Sequence, residues 1–417
     1  MQPYEVGEKK ASLALVVAVC TMLGLVVTAC SSPVPLTFWF YVAGPNFENV
    51  KGLAEEFNQE HADIQVETVL ESGWSQKLPV TIAAGVPPDV VWMNWISVAA
   101  YAHQGVLVNL QEIMKREGKL EAYSRDFFPA LWETSKHEGS AYCLPFDTNN
   151  MLMFYNRDIL NQYGVADPPE NWTWDDFIRQ CKKIASPPDR YAFSTVNDWR
   201  HFIDFLGAAG GRVLSADGKQ VTINKPEAVE ALQFMVDILH TYQIAPMPTG
   251  GWQTGFANGL LGFEVQGSYR LPQYATLGTT NLGAVAQPQR KARYSSAGGE
   301  SVVIVKTNPQ REAAAWRFVD WMTNTEANAK WSAISGYLPV RRSSMAHKTY
   351  QQILRGEPLR RLFAEELTYG DRLPTVPTDR VFGILGSMVG KAVNQSVTVN
   401  QAIADAETDL KAALGIP

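Results

Sequence analysis

Cysteine is scarce in this chain of 417 residues, which contains only four. Cys20 and Cys30 belong to an N-terminal apolar run, whereas Cys143 and Cys181 lie in segments with strand and helix patterns. Four cysteines are too few for a fold that depends on disulfides. A disulfide between Cys143 and Cys181 could form in an oxidising compartment, but the sequence favours two buried free thiols.

Clusters of basic residues are also missing. Lys and Arg number 36 against 42 Asp and Glu, giving a net charge of −6. Nucleic acid is therefore not an expected partner, because its binding depends on clustered Lys and Arg. Apolar residues make up 46% of the chain, which is enough to build sizeable cores. A chain of this length predicts two domains or one large two-lobed fold.

The motifs of common enzymes do not occur. The six histidines show no metal-ligand spacing such as HExxH, and no GxSxG elbow is present. The segment "GSMVGKA" (386–392) is similar to a P-loop, but it has three residues between its glycines and Ala392 in place of Ser or Thr. We therefore predict no catalytic site, no metal site and no cofactor.

The first 29 residues have the composition of a secretory signal. Lys9 and Lys10 precede a stretch, residues 11–29, that is almost wholly apolar or small. Its length also allows a single membrane span. The tail "VTAC" resembles the bacterial lipobox, in which the cysteine is lipidated and becomes the mature N-terminus. We predict a signal peptide over 1–29, a lipidated Cys30 and a linker over 30–35.

Strand and helix patterns alternate after the linker. The apolar run 36–42, the alternating segment 64–70 and the segment 89–92 are typical of strands, and helical stripes lie between them. This alternation predicts an α/β fold with a mostly parallel sheet. Further helices are predicted after Thr173 and after Asn308, where residues that cap helix N-termini precede apolar periodic segments.

Aromatic, amide and hydroxyl side chains gather where strands are predicted to end. In doubly wound sheets, ligands bind beyond the carboxyl ends of strands. Flat rings that stack on C–H faces, together with polar groups that meet hydroxyls, suit a sugar. The segments with this character are 41–46, 92–95, 144–150, 197–202, 263–270, 297–301 and 335–342.

Five segments in register resemble the family of extracellular solute-binding proteins that includes the maltose-binding and glycerol-3-phosphate-binding proteins of ABC importers. The segments are "FENVKGLAEEFNQEHADIQVE", "KLPVTIAAGVPPDVVWMN", "MFYNRDIL…PPENWTWDDF", "GGESVVIVKTNPQREAAAWRFVDWM" and "SGYLPVRRS". The resemblance implies two α/β lobes, each a mostly parallel sheet flanked by helices. The first lobe would comprise 36–146 and 301–342, and the second 147–300 and 343–417. Hinges are expected at "PFDTN", "GGES" and "VRRSS", with the ligand between the lobes.

The resemblance also implies which residues contact the ligand. Trp199 is expected to stack on it, and Arg341 either to reach it or to brace the hinge. Tyr269 stands where relatives often have tryptophan, which leaves that role open. The implied set is Tyr41, Asn94, Trp95, Asp147, Asn149, Trp199, Gln266, Ser268, Gly298, Gly299, Glu300, Tyr337 and Arg341.

The implied function is capture of a carbohydrate by a monomeric, lipid-anchored protein outside the cytoplasm, followed by delivery to an ABC permease. Two alternatives stay open. One is a phosphorylated polyol such as glycerol-3-phosphate, for which Arg270, Arg341 and Arg380 are candidate phosphate ligands. The other is a secreted carbohydrate-active enzyme, which would need a pair of carboxylates about 5 to 10 Å apart across the ligand.

Overall fold

A computed structural model of the protein describes residues 32–42, 45–194, 196–215, 218–247, 255–276, 281–367, 370–372 and 379–416. The predicted signal peptide and the predicted lipidation site at Cys30 lie outside these ranges. None of the helices within them combines the length and the apolar character that crossing a bilayer requires.

Strands and helices alternate along the described chain. The strands are β1 (Val34–Phe40), β2 (Ile64–Leu70), β3 (Val90–Asn94), β4 (Lys136–His137), β5 (Ser140–Ala141), β6 (Cys143–Asn156), β7 (Phe263–Gly267), β8 (Leu282–Val285), β9 (Ser295–Ile304) and β10 (Gly370–Arg372).

The helices flank these strands, and a 3₁₀ turn, Ser268–Arg270, follows β7. They are α1 (Pro45–Glu60), α2 (Trp74–Ala83), α3 (Trp95–His103), α4 (Leu110–Arg116), α5 (Leu120–Asp126), α6 (Pro129–Thr134), α7 (Arg157–Gln162), α8 (Trp174–Ile184), α9 (Trp199–Ala208), α10 (Pro226–His240), α11 (Leu271–Thr276), α12 (Pro309–Met322), α13 (Thr325–Ser335), α14 (Arg342–Ala346), α15 (Lys348–Gly356), α16 (Pro358–Glu366), α17 (Asp379–Val393) and α18 (Val399–Leu414).

The first lobe contains the parallel strands. β1 pairs in parallel with β2 on one side and with β3 on the other, and the second half of β9 runs antiparallel to β3. Leu36, Phe38 and Phe40 of β1 are buried in one apolar core with the helices that cover the sheet. The helical connections place successive strands side by side in the same direction, as the sequence predicts.

The second lobe is organised differently. Its sheet is built around β6, and β7, β8 and β9 all run antiparallel to that strand, while β10 pairs in parallel with β9. The predicted two-lobed α/β fold is confirmed. The predicted mostly parallel sheet is found in the first lobe only, because β6 enters the second lobe as a long strand and its neighbours run against it.

Two long strands connect the sheets of the lobes. β6 and β9 pair from Cys143 opposite Val303 to Asn150 opposite Ala297, with a register shift between Pro145 and Asp147. A third segment adds main-chain hydrogen bonds between Thr148 and Leu338, of 3.2 and 2.8 Å. The "PFDTN" and "GGES" segments thus lie in the crossing strands. The division of residues between the lobes remains a prediction.

Local signals in the sequence produce the predicted helix starts. The Thr173 hydroxyl accepts from the Asp176 amide at 3.2 Å, and the Asp176 carboxylate accepts from the Thr173 amide at 2.9 Å, which is a capping box. The Asn308 side chain accepts from the Arg311 amide at the start of α12. The segment "GSMVGKA" lies within α17, so it does not form the loop that a P-loop requires.

The two described cysteines are free and buried, as the sequence favours. Cys143 packs in an apolar cluster of the first lobe, whereas Cys181 belongs to the main core of the second. Burial raises the pKa of the Cys143 thiol to about 12. A buried thiol that stays protonated is a weak nucleophile, so Cys143 contributes to packing rather than to chemistry.

Candidate functional site

Two acidic residues face each other on the crossing strands, where the lobes meet. Asp147 on β6 stands opposite Glu300 on β9. The Glu300 amide donates to Asp147 Oδ1 at 3.1 Å, and Trp331 Nε1 donates to Asp147 Oδ2 at 3.2 Å. The side chains of Tyr41 and Asn94 lie beside the carboxyl of Glu300 and favour its charged form. The crossing strands thus form an acidic floor, Asp147 and Glu300, with partners from three other segments.

Burial changes the acidity of this floor. It raises the pKa of Asp147 well above its ordinary range, and the neighbouring Glu300 raises it further. Burial also raises the pKa of Glu300 to about 7, although Tyr41, Arg200 and Asn94 act against that shift. Within the described residues, Glu300 Oε2 has no hydrogen-bond partner. The floor therefore offers a buried oxygen that is ready to pair with a polar ligand group.

Arg200, which the predicted set of ligand contacts omits, lies close enough to Glu300 for their charges to interact. Burial lowers the pKa of its guanidinium, but Tyr269, Asp198 and Glu300 raise it by more. The Asp198 side chain caps α9 by accepting from the amides of Arg200 and His201, both at 3.0 Å. The signal was available in the sequence, because an arginine in the first turn opposes the helix dipole and is unfavourable there without a partner.

Aromatic rings form one wall of the cleft. Tyr337 stacks on Trp331 with ring centroids 6.0 Å apart, and Trp331 stacks on Phe146 at 5.2 Å. Trp92 meets these three rings edge-on. The ring of Tyr269, from the second lobe, stacks on Tyr337 at 5.3 Å. These contacts place the predicted Tyr337 in a continuous stack that ends at a ring of the opposite lobe.

A cavity of about 300 Å³ lies beside this stack. Its volume is at the lower end of the range for small-molecule pockets, which is roughly 300 to 1,000 Å³. Residues of both predicted lobes line it: Tyr41, Val42, Pro45, Asn46, Trp92, Tyr269, Arg270, Pro272, Gln273 and Tyr337. A molecule held there would contact both lobes at once.

Comparison with known proteins identifies the family. The model of the bacterial extracellular solute-binding protein family matches residues 44–329. The chain belongs to this family. The predicted family membership is therefore confirmed.

Relatives of this solute-binding protein differ in the ligands that they are named for. A maltotriose-binding protein of Pyrococcus abyssi is 24% identical over 73% of this chain, which spans just under two thirds (66%) of that relative. Maltose-bound T. maritima MalE3 superposes with a TM-score of 0.81 at 24% identity, covering 91% of this chain and all of that one. UgpB from Mycobacterium tuberculosis, in complex with glycerophosphocholine, gives a TM-score of 0.83 at 21% identity, covering 91% and 98%.

The crossing strands also carry the predicted amide and glycine positions of this solute-binding protein. Asn149 stands opposite Gly298, and Thr148 stands opposite Gly299. A Cβ on Gly299 would lie 2.3 Å from the carbonyl oxygen of Asp147, so only glycine allows the strands to approach so closely. The side chain of Asn150 lies on the face of β6 opposite to that of Asn149 and is fully buried. Neither of its amide atoms has a hydrogen-bond partner among the described residues. The sequence singles out the segment 144–150, but the predicted set of ligand contacts includes Asn149 and not Asn150.

Trp95 and Ser268 are predicted contacts whose polar atoms are buried. Trp95 follows Asn94, which caps α3 by accepting a hydrogen bond from the Ile96 amide at 3.1 Å. The ring of Trp95 packs with the main core of the second lobe. Within the described chain, Trp95 Nε1 and Ser268 Oγ lack hydrogen-bond partners. Gln266 accepts from the Tyr269 hydroxyl at 3.0 Å and so orients that ring.

Trp199 and Arg341 make their ring and ion-pair contacts with residues outside the acidic floor. The ring of Trp199 is half-buried, packs 4.2 Å from that of Phe382 and carries the Arg200 guanidinium 4.9 Å from its centroid. The guanidinium of Arg341 lies inside the first lobe, 3.2 Å from Asp126 and 4.0 Å from the ring of Phe127. These contacts favour the bracing alternative for Arg341, whereas stacking of Trp199 on a ligand stays a prediction.

Proposed function

We propose that this solute-binding protein captures a carbohydrate in the interlobe cleft and delivers it to the permease of an ABC importer. The observation that carries the proposal is the cavity lined by both lobes, where Tyr337 and Tyr269 stack beside the acidic floor. Flat rings suit the apolar face of a sugar, and carboxyl and guanidinium groups suit its hydroxyls. The names of the maltose- and maltotriose-binding relatives support the same class of ligand.

Contacts from both lobes give the ligand a way to close them. A ligand shifts a conformational equilibrium only through contacts that it makes better in one state. In this protein Tyr41 and Tyr337 come from the first lobe, and Tyr269 and Arg200 come from the second. A sugar between them would stabilise the closed form, through the hinge closure known for periplasmic binding proteins. The permease would then recognise this closed form.

Calorimetry tests the proposal directly. The full chain is titrated with a panel of mono-, di- and oligosaccharides, and we expect at least one ligand with a micromolar Kd, which corresponds to about −8 kcal/mol. Tyr269→Ala should weaken the affinity for that ligand at least tenfold. Tyr242→Ala is the matched control, because its ring lies beneath Lys182 and does not line the cavity. Absence of binding to every sugar in the panel would contradict the proposal.

A phosphorylated polyol is the second candidate, because Arg270 lines the cavity. Its Nε has no partner among the described residues, and a guanidinium is a strong phosphate donor. Of the other arginines considered, Arg341 is held by Asp126, and Arg380 is exposed at the start of α17. If glycerol-3-phosphate binds and Arg270→Gln weakens it at least tenfold while Arg380→Gln does not, the ligand is anionic.

We also propose that the protein is not an enzyme. Both carboxylate oxygens of Asp147 are engaged, by the Glu300 amide and by Trp331, so Asp147 does not face a ligand as a free catalytic group. The solute-binding role of the family supports the same conclusion. Prolonged incubation of the protein with its bound sugar should leave that sugar intact by chromatography, and a hydrolysed or eliminated product would refute the conclusion.

The family is extracellular, and we propose that a lipid on Cys30 holds this monomer at the membrane beside its permease. Several acyl chains anchor a protein firmly, whereas a single chain does so weakly. Cys30→Ala should move the protein from the membrane fraction to the soluble fraction or leave the signal uncut. A mature Cys30→Ala protein that stays membrane-bound would argue against the lipid anchor. Cys20→Ala, ten residues upstream, is the control.

A further inference from the structure

Two imidazoles and a carboxylate meet on the surface of the first lobe, away from the cleft. His103 is the last residue of α3, and His137 and Glu138 lie in the hairpin formed by β4 and β5. One ligand atom from each residue lies within 4.8 Å of the other two. His137 Nε2 is 3.8 Å from Glu138 Oε1, and the two imidazole centroids are 5.6 Å apart.

The hairpin holds Glu138 in an unusual backbone conformation. Glu138 and Gly139 form a two-residue turn between His137 and Ser140, with φ values of +48° and +79°. Such turns favour Asn, Asp or Gly at the first position, because β-carbons disfavour positive φ. Glutamate is less favourable than these residues at a positive φ, but its longer side chain places a carboxylate beside His137.

We propose that His103, His137 and Glu138 bind one divalent transition metal ion, with Zn²⁺ as the best fit. Imidazole nitrogens and carboxylate oxygens bind Zn²⁺ at about 2.0 to 2.2 Å, which places ligand atoms roughly 3.5 Å apart. The side chains of His103 and Glu138 are exposed and can close the remaining gap by changing rotamer. Ca²⁺ and Mg²⁺ prefer all-oxygen sites and do not suit this set.

The bound metal would join the C-terminal end of α3 to the hairpin. The opposite end of α3 begins at the cap Asn94, beside the acidic floor, about 13 Å away along the helix. Both ends belong to the first lobe, so the metal would leave the distance between the lobes unconstrained. Metal binding and sugar binding should therefore be independent, and each can be tested without the other.

The test is calorimetric titration of the full chain, carrying no added histidine tag, with ZnCl₂ at pH 7.5. We expect one Zn²⁺ per chain with a micromolar Kd. His137→Ala and Glu138→Asn should each weaken it at least tenfold. His61→Ala is the matched control, since His61 is a first-lobe imidazole stacked on Phe57 at 4.1 Å. Binding should fall at least tenfold at pH 5.5, because protonated imidazole does not ligate metal.

Glu138→Asn separates loss of a ligand from loss of folding. Asparagine suits the positive φ of the turn, so the melting temperature without metal should be equal or higher. Zn²⁺ affinity that is unchanged in both His137→Ala and Glu138→Asn would overturn the proposal, as would absence of binding to the parent protein. Binding of Mg²⁺ or Ca²⁺ as tightly as Zn²⁺ would overturn the assignment of the metal class.

Discussion

The two walls of the cleft differ in the side chains that form them. The first-lobe wall consists of Trp92, Trp331 and Tyr337, which are buried and packed ring against ring. On the second-lobe wall, Arg200 projects from the start of α9 and Tyr269 from the 3₁₀ turn after β7. We therefore expect the first lobe to supply a fixed aromatic surface to the ligand and the second lobe to supply a positive charge and a hydroxyl group.

The largest effect is expected where the two walls are joined. Gly299→Ala would place a Cβ 2.3 Å from the Asp147 carbonyl oxygen and force the crossing strands apart. We expect the free energy of unfolding, measured with urea, to fall by at least about 4 kcal/mol. Gly298→Ala is the matched control, because the nearest atom to its Cβ would be 3.8 Å away. Equal losses in both variants would show that close strand approach does not hold the walls together.

The acidic floor between the walls should make stability depend on pH. The pKa of Glu300 rises from 4.5 to about 7 on folding, so the folded protein binds the extra proton between those values. Stability without ligand should therefore fall as pH rises from 5 to 8, by up to about 3 kcal/mol. Glu300→Gln should remove the Glu300 contribution to that fall, whereas Asp147, whose pKa is raised mainly by its own burial, still contributes in the same direction.

The difference between Glu300→Gln and the parent reports on the Glu300 carboxyl together with its influence on the pKa of Asp147. Asp198 does not contribute to the slope in this window, because its pKa is lowered in the folded protein and its titration is nearly complete below pH 5 in both states. Urea midpoints at pH 5, 6, 7 and 8 give the measurement. Parallel curves for the two proteins would mean that Glu300 titrates as an ordinary carboxyl.

The first-lobe wall should contribute to ligand affinity through ring shape. Tyr337→Ala removes the ring that links Trp331 to Tyr269, and we expect sugar affinity to fall about thirtyfold, or about 2 kcal/mol. Tyr337→Phe keeps the ring and should change Kd less than threefold. Calorimetry with the sugar identified in the panel measures both variants. If Phe is as harmful as Ala, the wall acts through its hydroxyl, and the contrast with the second lobe disappears.

The smallest effect on binding is expected at Arg341, which lies behind the first-lobe wall. Its guanidinium contacts Asp126 and the rings of Phe127 and Tyr123. Arg341→Gln should lower the melting temperature but change sugar Kd less than twofold. Arg200→Gln, on the second-lobe wall, serves as the positive control for a loss of affinity. A tenfold loss in Arg341→Gln would restore Arg341 to the set of ligand contacts.

Short-range patterns predicted much of the fold. The capping box at Thr173 and the cap at Asn308 depend on residues within three positions, so the sequence reveals them directly. The antiparallel sheet of the second lobe depends on which segments pair with β6. Its partners β7 and β9 come from more than 100 residues later in the chain, and no local pattern specifies their direction.

The candidate site was predicted in part for the same reason. The resemblance to the family named Asp147, Glu300 and Tyr337 as ligand contacts, and these residues from three distant segments lie near one another; their contact with a ligand stays a prediction. Arg200 was missed because it acts through Glu300 and Tyr269, which are distant in sequence, although its unfavourable place in the first helical turn was visible. Arg341 was included because its segment lies near a hinge, and sequence alone does not show that its guanidinium faces inward.

The crossing of β6 and β9 also limits how the protein can evolve. Asp147 and Glu300 are part of the same main-chain ladder that joins the lobes, so substitutions there disturb the architecture as well as recognition. Arg200, Tyr269 and Arg270 are carried by a helix start and a short turn, which accept new side chains at lower cost to the framework. Descendants of this chain that acquire a new nutrient should therefore diverge first on the second-lobe wall, with the ladder left intact.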